Sequence, residues 1–255
     1  MSENDPLHQF KIEKIYDLPA FDVGGVHIDL SITNSVMAML IAVGVTALFF
    51  ALSTARASII PGRMQVMAEG VFGLIDDLTE SIIGHDGRQF FPYVFSLFLF
   101  ILSCNLVGMF TYFTATSQIA VTLTLAAMTM ILVIGVGLLR HGLGFFKMFA
   151  PSGVPWYILL VLVPIEVIAF LVRPVTLTLR LFGNMLGGHI VTQVFAGFII
   201  ATATLGLGGY AIGLLSLSTI VALTTLEFLV AYLQAFVFAV LTCVYLSDVV
   251  NIGHH

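Results

Sequence analysis

Apolar residues run almost unbroken from Asn34 to Ala55, in NSVMAMLIAVGVTALFFALSTA. That is the length of roughly 20 residues that a helix needs to cross a bilayer. The next segment is different. In RMQVMAEGVFGLIDDLTESII, residues 63–83, Val66, Met67, Val71, Leu74, Ile75 and Leu78 recur at helical spacing, with Glu69, Asp76, Asp77 and Glu80 between them. This pattern predicts an amphipathic helix suited to lying on a membrane rather than crossing it. Two further apolar spans follow, at about 90–113 and 119–139, joined by the uncharged TYFTATSQ. From Val154 to Val250 the chain stays apolar but carries Glu166, Arg173, Arg180, His189, Glu227 and Asp248. Glycines at 206, 208 and 209 interrupt it weakly. A helix from Pro164 to Leu205 would be roughly 60 Å long, about twice the hydrocarbon thickness. The stretch is therefore either four short spans or a hairpin of two long, steeply tilted helices (about 155–205 and 209–250). Average tilts of about 20° argue against the hairpin, and periodicity alone does not choose between them.

Composition turns this pattern into a class. The 255 residues are 59% apolar and 9% charged, far below the quarter charged that is usual for a soluble domain. The expectation is an all-α polytopic membrane protein, with about five transmembrane helices and one amphipathic surface helix. A polar extramembrane tail, residues 1–33, precedes a single membrane domain, residues 34–255. The opening MSENDPLHQF is acidic and polar, so no signal peptide is expected there. No basic cluster points to nucleic acid. Cys104 and Cys243 lie in separate apolar runs and suggest neither a disulfide nor a metal site, and no cofactor is expected. With the N-terminus outside, Arg56, Arg63, Arg88, Arg140 and Lys147 all fall on the cytoplasmic side and only Lys11 and Lys14 on the other.

The candidate chemistry lies in the last hundred residues. A charge at the bilayer centre costs between about 2.5 and 17 kcal/mol, so ionisable residues there usually serve ion pathways. Arginine stays charged where lysine can deprotonate, which makes Arg180 the least evasive of the set. Its bland alternative is snorkelling, in which the long stem carries the guanidinium to an interface. For Arg173, beside Pro174, snorkelling is the stronger reading. Glu166, Arg173 and Arg180 are seven apart and fall within roughly 40° of one another around a helix. Thr176 and Asn184 lie four to either side of Arg180 and extend the same polar stripe. His189, nine beyond Arg180, falls on nearly the opposite face. On the following segment Glu227 and Gln234 are again seven apart and share a face. A lone glutamate in LTTLEFLVAYLQAF suits uptake and release of protons, because burial disfavours its ionised form. The alternative is an interhelical hydrogen bond worth about 0.6 kcal/mol.

LRLFGNMLGGH and LEFLVAYLQAFVFAVLTCVYLS resemble subunit a of the F-type ATP synthase, the membrane stator beside the rotating c-ring. The likeness runs from about residue 34 to the end, and the order of spans fits as well. The resemblance implies that the last two helices form the long tilted hairpin. It implies that Arg180 is the essential arginine facing the c-ring carboxylates and separating two aqueous half-channels. Asn184, His189, Glu227 and Gln234 then match residues of proton entry and Glu166 an acid of the cytoplasmic-side path, with Thr176, on the same stripe, also counted in the proton pathway. It further implies a non-catalytic, proton-translocating subunit with the c-ring, b-type peripheral-stalk subunits and lipid as partners. The implied location is a bacterial inner membrane, ahead of a mitochondrial one, with the C-terminus cytoplasmic. One bacterial pattern places Glu first and His second, whereas here the order is His189 then Glu227, as in mitochondrial subunits. Among rivals, a voltage sensor needs arginine at every third residue, and a secondary transporter tends to repeat its broken helices in both halves.

A hairpin makes a numerical expectation. His189 and Glu227 are each nineteen residues from Gly208, so a turn centred there sets them at equal depth. The same register puts Arg180 opposite Phe236, within a turn of Gln234. The sequence therefore predicts one polar site shared by His189 and Glu227, with Gln234 near Arg180.

Overall fold

The computed structural model describes residues 14–16, 21–23, 26–28, 31–55, 58–84, 86–110, 118–149, 155–202 and 206–250. Six helices dominate it: α1 (Asn34–Thr54), α2 (Arg63–Ile83), α3 (Gly87–Phe110), α4 (Ile119–His141), α5 (Trp156–Thr202) and α6 (Gly206–Val250). All but α2 are long and apolar enough to cross a membrane. The protein is thus an all-α, multi-pass membrane protein, as its apolar pattern requires. In lipid every backbone N–H and C=O must be satisfied within the chain, and a helix does this locally.

Two features go beyond the expected pattern. The N-terminal tail contains four short strands, β1 (Lys14–Tyr16), β2 (Phe21–Val23), β3 (Val26–Ile28) and β4 (Ile32–Thr33). They form two antiparallel pairs, β1 with β4 and β2 with β3, the second in register Phe21↔Ile28. A 3-10 segment, Gly142–Phe149, continues the chain beyond α4. It starts at Gly142, whose φ of +53° a residue with a side chain rarely adopts.

The final stretch is two helices rather than four. α5 has 47 residues and α6 has 45, about 70 Å each at 1.5 Å per residue. Pro164 and Pro174 lie within α5. Each removes one backbone hydrogen bond, and the Thr178 hydroxyl donates to the Pro174 carbonyl at 2.8 Å. Gly206, Gly208 and Gly209 fall in the first turn of α6 instead of breaking a helix. Glycine costs a helix only about 1 kcal/mol relative to alanine, less than an unsatisfied backbone group costs in hydrocarbon.

The chain forms two compact units. One comprises Met1–Val45, Ile101–Gln118 and Leu181–Gln234; the other comprises Thr46–Phe100, Ile119–Arg180 and Ala235–His255. In the second unit, Phe72 of α2 packs on Phe91 and Phe95 of α3, and Phe95 on Phe50 of α1. α2 buries Ala68, Ile75, Thr79 and Ile83 along one stripe and leaves Glu69, Asp77 and Glu80 exposed. Its end is tied to α6 where the Ser247 hydroxyl donates to the Ile82 carbonyl at 2.8 Å. Arg140 of α4 pairs with Asp86 and donates to Gln89 at 3.2 Å. Gly137 is a close approach: a Cβ there would lie 2.8 Å from Val249 of α6. In the first unit, the Leu181–Thr202 part of α5, the Gly206–Gln234 part of α6 and the Ile101–Phe110 part of α3 come together. Leu181, Met185, Ala231, Ile101 and Asn105 are buried there.

Candidate functional site

Leu181, Met185, Gly188 and Thr192 recur at helical spacing on α5; the first two are buried, and Gly188 and Thr192 meet Glu227 of α6. Within the first unit side-chain hydrogen bonds join the helices. Asn184 Nδ2 donates to Gln234 Oε1 at 3.3 Å, and Thr192 Oγ1 donates to Glu227 Oε1 at 3.4 Å. The first pair is equidistant from residue 209 and the second from the point between 209 and 210. The centre of the hairpin is therefore within two residues of Gly208, and the partner of Glu227 is three residues beyond the expected position 189.

Glu227 is half-buried, and among the described residues Thr192 is its one hydrogen-bond donor. The carboxylate lies against the backbone of α5 at Gly188. A Cβ built on that glycine would stand 2.9 Å from Glu227 Cδ and 3.2 Å from its Cγ. Gly188 thus makes room for the acid. Gly188→Ala is expected to displace the carboxylate and destabilise the protein by about 1–3 kcal/mol, as overpacking does. Gly197→Ala, on the same helix and facing open space, is expected to cause no loss of stability. Thermal unfolding of both variants checks this, and equal destabilisation would refute the close fit.

Gln234 is buried, and its Nε2 finds no acceptor among the described residues. Between Glu227 and Gln234, the carbonyl of Ala231 accepts a hydrogen bond from Nδ2 of fully buried Asn105 on α3 at 3.2 Å. Phe110 of α3 meets Phe228 edge to face with ring centres 5.9 Å apart. α3 thereby braces the stretch of α6 that holds both polar residues. Sequence reasoning singled out neither Gly188, Thr192 nor Asn105. The asparagine in an otherwise apolar span was the one available signal, because a buried amide demands partners.

Arg180 is exposed on α5, with Thr176 and Asn184 exposed one turn to either side. Among the described residues it makes no hydrogen bond or ion pair. Gly183 and Gly187 flank it toward Val191, and a Cβ at either would meet nothing within 4 Å. The Thr176 hydroxyl donates to the Arg173 carbonyl of the preceding turn at 2.9 Å. Glu166 is half-buried, fourteen residues before Arg180 on the same helix. The His189 backbone belongs to α5, while its side chain lies outside the described residues.

Arg173 is paired within the second unit instead of simply reaching for an interface. Its Nη1 is 3.4 Å from Asp248 Oδ2, and its guanidinium sits 5.4 Å above the Tyr245 ring. Both members of the ion pair are more than a third exposed, so it aligns the helix ends more than it stabilises them.

Comparison with known proteins bears on this arrangement. The profile of the ATP synthase A chain family matches residues 36–247. The chain is 50% identical over 253 residues to ATP synthase subunit a of Allorhizobium ampelinum, covering 99% of each chain. It is 48% identical to the subunit a of Mesorhizobium japonicum over 251 residues, 98% of each chain. It is also 48% identical to that of Hyphomonas neptunium over 252 residues, again 98% of each.

Proposed function

The chain belongs to the ATP synthase A chain family, and from that premise we propose that it is the stator that carries protons to and from the carboxylates of a c-ring through two offset half-channels. One observation carries the reading. Arg180 stands exposed and unpaired among the described residues, midway along a 47-residue apolar helix. An intramembrane guanidinium with no hydrogen bond or ion pair among the described residues calls for an anionic partner, which a neighbouring subunit can supply. Flanking Gly183 and Gly187 favour a helical partner, since small residues let helix backbones approach closely.

On this reading a proton enters from outside along Glu227, Gln234 and Asn184, with His189 on the same helix, and neutralises a c-ring carboxylate. The neutral ring site rotates through lipid. After almost a full turn it loses its proton to the cytoplasmic path past Glu166 and Thr176, and the resulting carboxylate passes Arg180. The fixed positive charge stabilises the carboxylate and repels a proton, so the two paths do not short-circuit. The subunit performs no ATP chemistry itself. It works beside the ring and b-type stalk subunits, with lipid against the exposed leucines of its long helices. The apolar hairpin is longer than the about 30 Å hydrocarbon layer and so must tilt. The chain is expected to co-purify with a ring of small two-helix subunits. A cysteine at Gly183 should cross-link to the ring's outer helix. Purification free of any ring, with no such cross-link, would refute the assignment.

The proposed orientation places the N-terminus outside, and residues 56–63, 140–147 and 255 in the cytoplasm of a bacterial cell. Single cysteines at Ser2 and His255, in a chain with Cys104 and Cys243 replaced, test this with an impermeant thiol reagent. Ser2→Cys is expected to react from outside and His255→Cys only in inverted vesicles. Reaction of position 255 from outside would require a different number of spans.

A further inference from the structure

A cavity of about 230 Å³ opens beside Glu227. Its walls come from α3, α5 and α6, all within the first unit. Met109, Met185, Val191, Leu223, Leu226 and Val230 supply hydrocarbon and thioether, and the backbones of Gly187 and Gly188 form part of one wall. Among the described residues two polar side chains reach it, the Asn184 amide and the Glu227 carboxylate.

This lining is unbalanced for a site that holds water alone. A buried water needs two to four polar partners, and apolar cavities stay dry. Here the two polar groups are already partly engaged, Asn184 by Gln234 and Glu227 by Thr192. A cavity of about 150 Å³ lined by leucine and phenylalanine takes up benzene, so this one has room for a somewhat larger hydrocarbon body. Thioethers are soft and adaptable, and Met109 and Met185 can fit themselves to a ligand's outline. The single carboxylate fixes the sign of the ligand's charge. Most small-molecule sites have this composition, largely apolar with few orienting polar groups.

We infer that the cavity is a binding site for a compact lipophilic monocation, whose ammonium pairs with Glu227 and whose hydrocarbon body packs between Met109, Met185, Leu223 and Val230. The binding stands on the cavity itself. That an occupant blocks proton entry rests on the function proposed above, because it would cover the carboxylate and displace water from it.

The test uses the purified intact complex in lipid nanodiscs and a photoreactive diazirine derivative of 1-adamantylamine, with attachment sites mapped by mass spectrometry. Label is expected on the segments carrying Met109, Leu223 and Val230. Unlabelled 1-adamantylamine should compete at roughly tenfold lower concentration than neutral 1-adamantanol, the discrimination a charged hydrogen bond supplies. In Glu227→Gln the two competitors are expected to become equal, and in Met109→Trp, which fills the space, labelling should vanish. Where a variant does not assemble, the comparison of amine with alcohol on the unaltered complex still decides. Equal competition there, or label spread over the exposed face of α5 without competition, overturns the site. Saturable label at the cavity with unchanged ATP-driven acidification supports the site and counts against proton entry past Glu227.

Discussion

Arg180→Ala is expected to bring ATP-driven acidification of inverted vesicles to background while the complex still assembles on a native gel. The two readouts separate because of where the side chain stands. It is exposed and makes no hydrogen bond or ion pair among the described residues, so its removal leaves no orphaned group behind. Alanine is also the best helix former, and α5 should not weaken at that point. What disappears is the fixed charge between the two proposed proton paths, and passive proton leak is expected to rise. Arg180→Lys is expected to be badly impaired too. Lysine keeps a charge only while it stays protonated, and it lacks the planar fork that can meet a carboxylate in two places. Near-normal pumping by Arg180→Ala would remove the stator reading. A complex that no longer assembles would give Arg180 a structural role that its exposure does not predict.

The exchange of His189 for glutamate together with Glu227 for histidine is expected to recover more proton flux than the two single changes predict by addition. The helical register underlies this expectation. Observed pairs across α5 and α6 are equidistant from residues 209 and 209–210, which keeps positions 189 and 227 at similar depth. Glu227 already touches Gly188, the neighbour of His189, and takes a hydrogen bond from Thr192, three residues further on. Either single change, His189→Ala or Glu227→Ala, should reduce flux more than assembly. Residues that share a site show coupling of about 1 kcal/mol, roughly fivefold in rate. Flux losses that add strictly would show that the two residues act apart, even with the stator assignment intact.

The polar stripe of Glu166, Arg173, Thr176, Arg180 and Asn184 was legible in the sequence because it depends only on 3.6 residues per turn. The five apolar spans were legible for a similar reason, since bilayer thickness sets a length that any window of residues can be measured against. Even the depth of Asn184 against Gln234 was nearly fixed, because a hairpin makes sequence distance from its turn a measure of height. Rotation of one helix about its axis has no such ruler. Gly188 and Thr192 became the α5 partners of Glu227 only once the two helices were packed, and Asn105 found the Ala231 carbonyl only through α3. The same holds for Arg173, whose partner Asp248 lies 75 residues away. Whether glycines end a helix was likewise open, because the cost of a glycine is local while the gain from a continuous helix depends on its surroundings. The cavity beside Glu227 is the most tertiary feature of all: three helices bound a volume that no one of them contains. Periodicity determined which residues could face a partner, and packing alone decided which of them do.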